Sequence, residues 1–220
     1  MRVSFICGYY PDLAHNTIAR RPEPYWDAYF FTWAVKVGSF RRPFFLRRDD
    51  GNVRIQKDNF PLVRQSFGQF VANEVDDNYS GQDALLVPVP SKDRLRGVKA
   101  ARSTNMLIEA MADTAYAAAV SDKVRWKGKL AKAHEGGPRG RDELRNHLEA
   151  DPALVGRNVI LVDDLLSTGG AMLACKDVVE GAGANVIGAV TCGKTIYTFD
   201  IPPFSRQEFE LTGELADFAR

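Results

Sequence analysis

Residues 159–171 read Val-Ile-Leu-Val-Asp-Asp-Leu-Leu-Ser-Thr-Gly-Gly-Ala, and no other stretch restricts the fold as tightly. Val159 to Val162 form a short continuous apolar run, the pattern of a strand covered on both faces. Met172, Cys175, Val179 and Ala182 then recur at helical spacing, and Gly181 with Gly183 marks the stop. Between them, Gly169 and Gly170 permit a tight turn and a close backbone approach to a ligand. Backbone N–H groups and the positive end of the helix therefore converge near Ser167 to Gly170, which suits a phosphate. Asp163 and Asp164 sit just upstream, where they can hold hydroxyl groups.

Other readings of this stretch fit less well. A Walker-type phosphate loop needs a Lys after the glycines, and none follows. The Gly-x-Gly-x-x-Gly spacing of a dinucleotide site is absent. Asp163 and Asp164 do not form a shared-proton dyad in this reading, because successive strand side chains point to opposite faces. An ordinary strand and helix joined by a solvated acidic turn remains open, but binding of a sugar accounts for more of the residues.

At 220 residues the chain is long enough for one α/β domain with an added subdomain. A formal charge of +1 gives no global electrostatic case for nucleic acid or membrane binding. Cys7, Cys175 and Cys192 are too widely spaced for a metal-type pair. Cys175 and Cys192 fall on a helix and a strand, where buried reduced thiols are expected, and a reducing cytoplasm fits. The start, MRVSFICGYYPDL, has too short an apolar run for a secretory signal, and no stretch is long enough to span a bilayer.

The C-terminal two-thirds alternates strands and helices. Ala84 to Val89 reads as a buried strand. Ile108, Met111, Ala112 and Ala115 fall on one face of a helix over roughly residues 98–119. Ser121 to Trp126 reads as a short strand and Asn185 to Cys192 as another. This rhythm implies α/β, a mainly parallel sheet flanked by helices, with an N-terminal helix and hairpin elaboration. In that elaboration Trp26, Phe30, Trp33, Ala34 and Val37 make one helical stripe, and Val63, Phe67, Phe70 and Val71 another. Phe44 to Ile55 reads as a β-hairpin around Asp50-Gly51. Tyr9, Tyr10, Tyr25 and Tyr29 are in reach of a base, with core packing as the plainer reading. The expected layout is a single domain: an elaboration or hood over 1–80, a core over 81–195 and a tail over 196–220.

The combination at 159–171 resembles the phosphoribosyl-pyrophosphate signature of the type I phosphoribosyltransferases. The resemblance covers residues 84–192 well and 25–83 weakly. It implies that Asp163 and Asp164 grip the ribose hydroxyls as the catalytic acidic pair. It also implies that Leu166, Ser167, Thr168, Gly169, Gly170 and Ala171 wrap the 5′-phosphate. Ala171 stands where the family commonly has a hydroxyl residue, and a lost hydrogen bond to a charged group costs roughly 1.5–3 kcal/mol. Ser91, Lys92, Asp93 and Arg94, with Arg96 nearby, follow an apolar strand where the family binds pyrophosphate; a solvated basic turn is the alternative. Pro88-Val89-Pro90 followed by Arg96-Gly97 is similar to the competence protein F branch. That branch usually continues with Phe-Asn-Gln, where this chain has Val98-Lys99-Ala100, and often carries an N-terminal four-cysteine zinc module, which is not seen in this sequence.

Residues 127–156 hold Lys127, Lys129, Lys132, His134, Arg139, Arg141 and Arg145 around Gly136-Gly137-Pro138. A polar segment this long inside a compact domain is usually functional or disordered. The resemblance implies a mobile loop here, with Lys129, His134, Arg139 and Arg141 closing over the site to exclude water. His147 reads as lying on a solvated helix. The implied activity is Mg²⁺-dependent transfer of phosphoribose from phosphoribosyl pyrophosphate to a small acceptor, most plausibly through an acceptor nitrogen. Mg²⁺ would be held mainly by substrate and water. A homodimer is implied by analogy. The competing reading is a non-catalytic nucleotide or sugar-phosphate module. In one variant it handles single-stranded DNA through the cationic strip at 123–145.

Overall fold

The apolar run at 159–162 lies inside β7 (Asn158–Leu166), which runs on through both aspartates. It belongs to a five-stranded sheet in which β4 (Ala84–Pro88), β7, β8 (Asn185–Thr195), β1 (Arg2–Tyr9) and β9 (Phe204–Glu210) lie side by side in that order. The first four strands are mutually parallel and β9 runs antiparallel along β1, so the sheet is mainly parallel, as expected. The register brings Leu161, Ala189 and Val3 abreast, all three fully buried. The computed structural model describes residues 1–11, 21–48, 51–98, 101–130, 137–138 and 140–215.

Alternation along β7 feeds two separate core layers. Ile160 and Val162 meet Phe31 of α1 (Glu23–Val37), Phe67 of α2 (Leu62–Tyr79) and Met106 of α3 (Arg102–Met111). Val159 and Leu161 meet Cys175 and Val179 of α5 (Gly170–Gly181) and Leu144 of α4 (Arg141–His147). Burying each of these larger side chains contributes about 1.5–3 kcal/mol against leaving it in water. The hairpin forms where the sequence places it, as β2 (Phe44–Arg48) and β3 (Gly51–Ile55), and packs Leu46 and Ile55 into the first layer. All four residues of the second N-terminal stripe, Val63, Phe67, Phe70 and Val71, are buried.

Several expectations need correction. Both ends of the chain enter the sheet. Arg2–Tyr9 is an inner strand, not part of a hood, and β9 falls within the expected tail. The helix expected over 98–119 is only Arg102–Met111, because the N–H and hydroxyl of Thr114 both bond the Met111 carbonyl and close the helix. Ile108 faces solvent at 51% exposure, while Ser103, Thr104 and Leu107 turn inward. On α1 the expected stripe holds at Phe30 and Ala34, which are buried, and at Trp26 and Trp33, which pack against the core; the buried face also takes in Tyr25, Ala28, Phe31 and Val35, whereas Val37 is exposed. The short strand at 121–126 is β5 (Val124–Trp126), and it pairs with β6 (Leu148–Ala150) in a separate two-stranded sheet. Residues 127–156 are therefore not one loop, since α4, β6 and a 3₁₀ turn at Pro152–Leu154 occupy the second half.

Tyr10 and Tyr25 are core residues, packed with Ile196 and stacked near Phe199, while Tyr9 stacks on Tyr29 at 5.1 Å. The three cysteines are free and buried. Among the described residues no helix is long and apolar enough to cross a membrane.

Helices α2 and α3 touch at Gly68, where a Cβ atom would stand 1.7 Å from the Ala110 carbonyl oxygen. Gly68→Ala therefore forces two backbones apart, a cost of about 1–3 kcal/mol or more. Urea denaturation should show a clearly lower midpoint. An unchanged midpoint would contradict this packing.

Candidate active site

Alternation continues into the acidic pair and divides it. Asp164 follows Ile160 and Val162 toward the layer of α1 and α3, and its side chain is only 3% exposed. There Lys36, in the last turn of α1, donates to Oδ1 at 2.7 Å. Arg102, the first residue of α3, donates to Oδ2 at 2.7 Å and to the Lys36 carbonyl at 3.1 Å. The two cations are 40% and 36% exposed, so their outer sides face the cleft while their tips neutralise a carboxylate that water barely reaches.

Asp163 follows Val159 and Leu161 toward α5. Its Oδ1 accepts the Asp164 N–H at 2.8 Å, and it forms no ion pair among the described residues. Burial, together with the negative charge of Asp164, raises its carboxyl from 3.8 to about 7; Lys36 and Arg102 only partly offset this. The pair is thus one clamped carboxylate beside one poised carboxylate. Behind Asp163, burial pushes the Cys175 thiol far above its usual range, which makes it inert.

Beyond Leu166 the chain leaves the sheet, and Gly169 adopts φ +80°, a left-handed conformation open to glycine. A side chain there would also press on Leu211, 3.0 Å from the ideal Cβ position. Gly170 opens α5, and Ala171 lies in its first turn. The Gly170 N–H makes only a long 3.4 Å contact with Thr168 Oγ1. Among the described residues the N–H groups of Ser167, Thr168, Gly169 and Ala171 donate to nothing. The loop is held from behind instead, by the Leu215 N–H on the Thr168 carbonyl at 2.8 Å. A turn of unbonded amides at a helix N-terminus suits an anion.

The segment after β4 is built differently from the expectation. Ser91 and Ser103 exchange backbone N–H to hydroxyl bonds at 2.9 and 3.0 Å, which uses the Ser91 amide to fasten α3. Asp93 accepts the Arg102 N–H at 2.9 Å, and hydrogen bonds from Ser91 and Arg102 help hold its carboxyl below the usual range. Arg94 is turned inward and 8% exposed, bonded to Asp122 at 2.7 Å and to the carbonyls of Leu95 and Val98. Arg96 pairs with Glu149. Arg94 is therefore a structural cation, Arg96 makes a surface pair away from the cleft, and Lys92 alone of these basic residues stays exposed at the cleft.

These parts enclose a cleft of about 530 Å³ that contacts Lys36, Lys92, Arg102, Asp163, Thr168 and Glu214. Of the expected mobile loop, Lys129 is exposed, and His134 and Arg139 lie outside the described residues. Arg141 is not mobile-loop material: it grips Asp177 of α5 with two bonds of 2.7 Å, while its N–H donates to Glu214. His147 is exposed on α4, as expected. Lys123, Arg125 and Arg145 each stand beside a carboxylate, so much of the cationic strip at 123–145 is internally neutralised.

Sequence reasoning missed Lys36, Arg102 and Glu214. Lys36 at a helix C-terminus looks like an ordinary dipole complement. Arg102 at a helix N-terminus opposes the dipole, and that mismatch was a readable signal of an external carboxylate.

The raised carboxyl gives a signed expectation for stability. The folded state binds the Asp163 proton more tightly than the unfolded chain, so ionisation destabilises the fold as pH rises from about 4 to about 7. Asp163→Asn should therefore raise the melting temperature by a few degrees at pH 8, and by less at pH 4.5. An equal shift at both pH values, or a loss at pH 8, would contradict the arrangement.

No family model matches the chain. Over 62 residues, 28% of its length, it is 42% identical to an adenine phosphoribosyltransferase of Gluconobacter oxydans, a match spanning 34% of that protein. Over 81 residues it is 36% identical to the adenine phosphoribosyltransferase of Novosphingobium aromaticivorans, spanning 36% of this chain and 42% of that one. The chain thus spans less than half the length of these curated relatives. A crystal structure of adenine phosphoribosyltransferase aligns over 76% of this chain and 91% of its own, with a TM-score of 0.43 and 18% identity.

Proposed function

We propose that the cleft binds phosphoribosyl pyrophosphate and that the protein is a phosphoribosyltransferase. The observation that carries this reading is the set of undonated amides at 167–171 on the same cleft as Asp163. One end of such a site suits a 5′-phosphate and the other suits sugar hydroxyls. The relatives named adenine phosphoribosyltransferases support the same reading, and we take the acceptor to be a ring nitrogen of a nucleobase such as adenine.

In this mechanism the loop amides fix the 5′-phosphate and the ionised Asp163 accepts hydrogen bonds from the ribose hydroxyls. Asp164 holds Lys36 and Arg102 in place rather than gripping the sugar itself. The acceptor nitrogen attacks C1 of the ribose, the C1–oxygen bond breaks, pyrophosphate leaves with the electron pair, and the proton shed by the ring nitrogen passes to water or to the departing pyrophosphate. Lys92, with the exposed flanks of Lys36 and Arg102, offsets the charge gathering on that leaving group. Positioning supplies much of the acceleration, since little covalent chemistry is asked of the side chains.

Among the described residues no cluster of three metal-ligating side chains exists, and Asp164 is already occupied by cations. That donor set fits Mg²⁺ held chiefly by substrate phosphates and water, with Asp163 as the available carboxylate. When bound, Mg²⁺ supplies neutralisation of the pyrophosphate charge.

Calorimetric titration with phosphoribosyl pyrophosphate, with and without Mg²⁺, tests the proposal. Saturable, Mg²⁺-dependent binding is expected. It should be weakened at least tenfold in the Asp163→Asn variant while its circular dichroism stays native. Absence of binding at millimolar ligand, or unchanged affinity in Asp163→Asn, would overturn the assignment.

A further inference from the structure

A second cavity, of about 860 Å³, opens at the other end of α1, between its first turns and the hairpin. Glu23 and Lys36 are thirteen residues apart on one helix, so this cavity lies about 20 Å from the cleft at Asp164. Its volume falls within the range of about 300–1,000 Å³ that small-molecule sites occupy. It plays no part in the mechanism above.

The walls have a definite chemistry. Arg21 stacks on Trp26 at 4.0 Å and on Tyr29 at 4.4 Å, and donates to the Tyr10 carbonyl, so it is part of the wall. Asp27 accepts from the Phe45 N–H and twice from Arg47, so its charge is spent inside the protein. Arg54 and Arg42, whose guanidinium lies over the Phe30 ring at 5.1 Å, remain exposed on the cavity, and neither forms an ion pair among the described residues. Phe45 lines the same cavity at 38% exposure, a large aromatic side chain left in contact with water. Phe45 and Arg54 are direct partners across the hairpin, so their side chains share one face within a single pair spacing. Arginine forks recognise phosphate, and an exposed ring recognises a planar base.

We propose that this cavity is a second ligand site, for a nucleoside monophosphate. The base stacks on Phe45, and the phosphate lies between Arg42 and Arg54. A simple anion leaves the Phe45 ring unexplained, and an uncharged aromatic leaves the two unopposed arginines unexplained. A molecule carrying both groups, separated by a sugar, answers both. Occupancy would tie the hairpin to the start of α1, whose far end carries Lys36.

The test is amide-resolved NMR of the full chain, titrated separately with adenosine monophosphate, adenosine and inorganic phosphate. The nucleotide should shift amides at residues 42–45 and 53–54 saturably, with affinity at least tenfold above that of adenosine or phosphate. An Arg42→Gln, Arg54→Gln double variant changes only exposed side chains. It should keep the wild-type melting temperature and bind the nucleotide at least tenfold more weakly. Phe45→Ser provides an independent variant with the same expected loss. Equal affinity for phosphate alone or adenosine alone would overturn the proposal. So would shifts confined to residues 163–171, no shifts at millimolar nucleotide, or undiminished binding by the variants.

Discussion

The ion cluster at Asp164 joins β7, α1 and α3 at one polar point above the apolar layer they share. A strand buried on both faces sends a carboxylate into the layer between α1 and α3, and Lys36 and Arg102 answer it from those two helices. A carboxylate 3% exposed is tolerable only because both oxygens are bonded to cations. Removing either cation would leave a buried charge short of a partner. The cluster therefore fixes where α1 ends and where α3 begins. Ser91, Ser103 and Asp93 reinforce the start of α3 with three further bonds to backbone N–H groups. The cost is visible next door: Asp163, half-buried at the cleft, is held near a second carboxylate, and its carboxyl is raised to about 7. Strain of this kind is common where a fold is arranged for a ligand.

The cleft then has two unlike ends. One is a backbone feature, the open amides of 167–171, braced by Leu211 under Gly169 and by Leu215 on Thr168. The other is a side-chain feature, Asp163 with the flanks of Lys36, Arg102 and Lys92 around it. A sugar that carries phosphate at both ends suits this layout, with one phosphate on amides and the other on cations. The C-terminal segment at 211–215, which looks like a tail, is structural support for the end with the open amides.

What was legible in the sequence is what is local. The strand, loop and helix over 158–181 could be read because apolar run, glycines and helical spacing follow one another directly. The hairpin around residues 50–51 could be read for the same reason. Arg2–Tyr9 was missed because a short apolar run does not by itself distinguish an inner strand from loop-bound hydrophobics. The partners of Asp164 were missed because they lie 128 and 62 positions away. Arg94 and Arg96 were assigned to pyrophosphate because a basic turn after a buried strand looks free until Asp122 and Glu149 are placed beside it. Sequence pattern picked out the candidate site; only tertiary contact could say which of its charges are already paired.

The most direct test of the central claim is a crystal structure of the protein with ribose 5-phosphate bound. The account predicts the phosphate seated on the amides of Ser167 to Ala171, the ribose hydroxyls on Asp163, and the Lys36–Asp164–Arg102 cluster intact beside them. A phosphate bound away from that loop, or a sugar held by Asp164 with its two cations displaced, would contradict it.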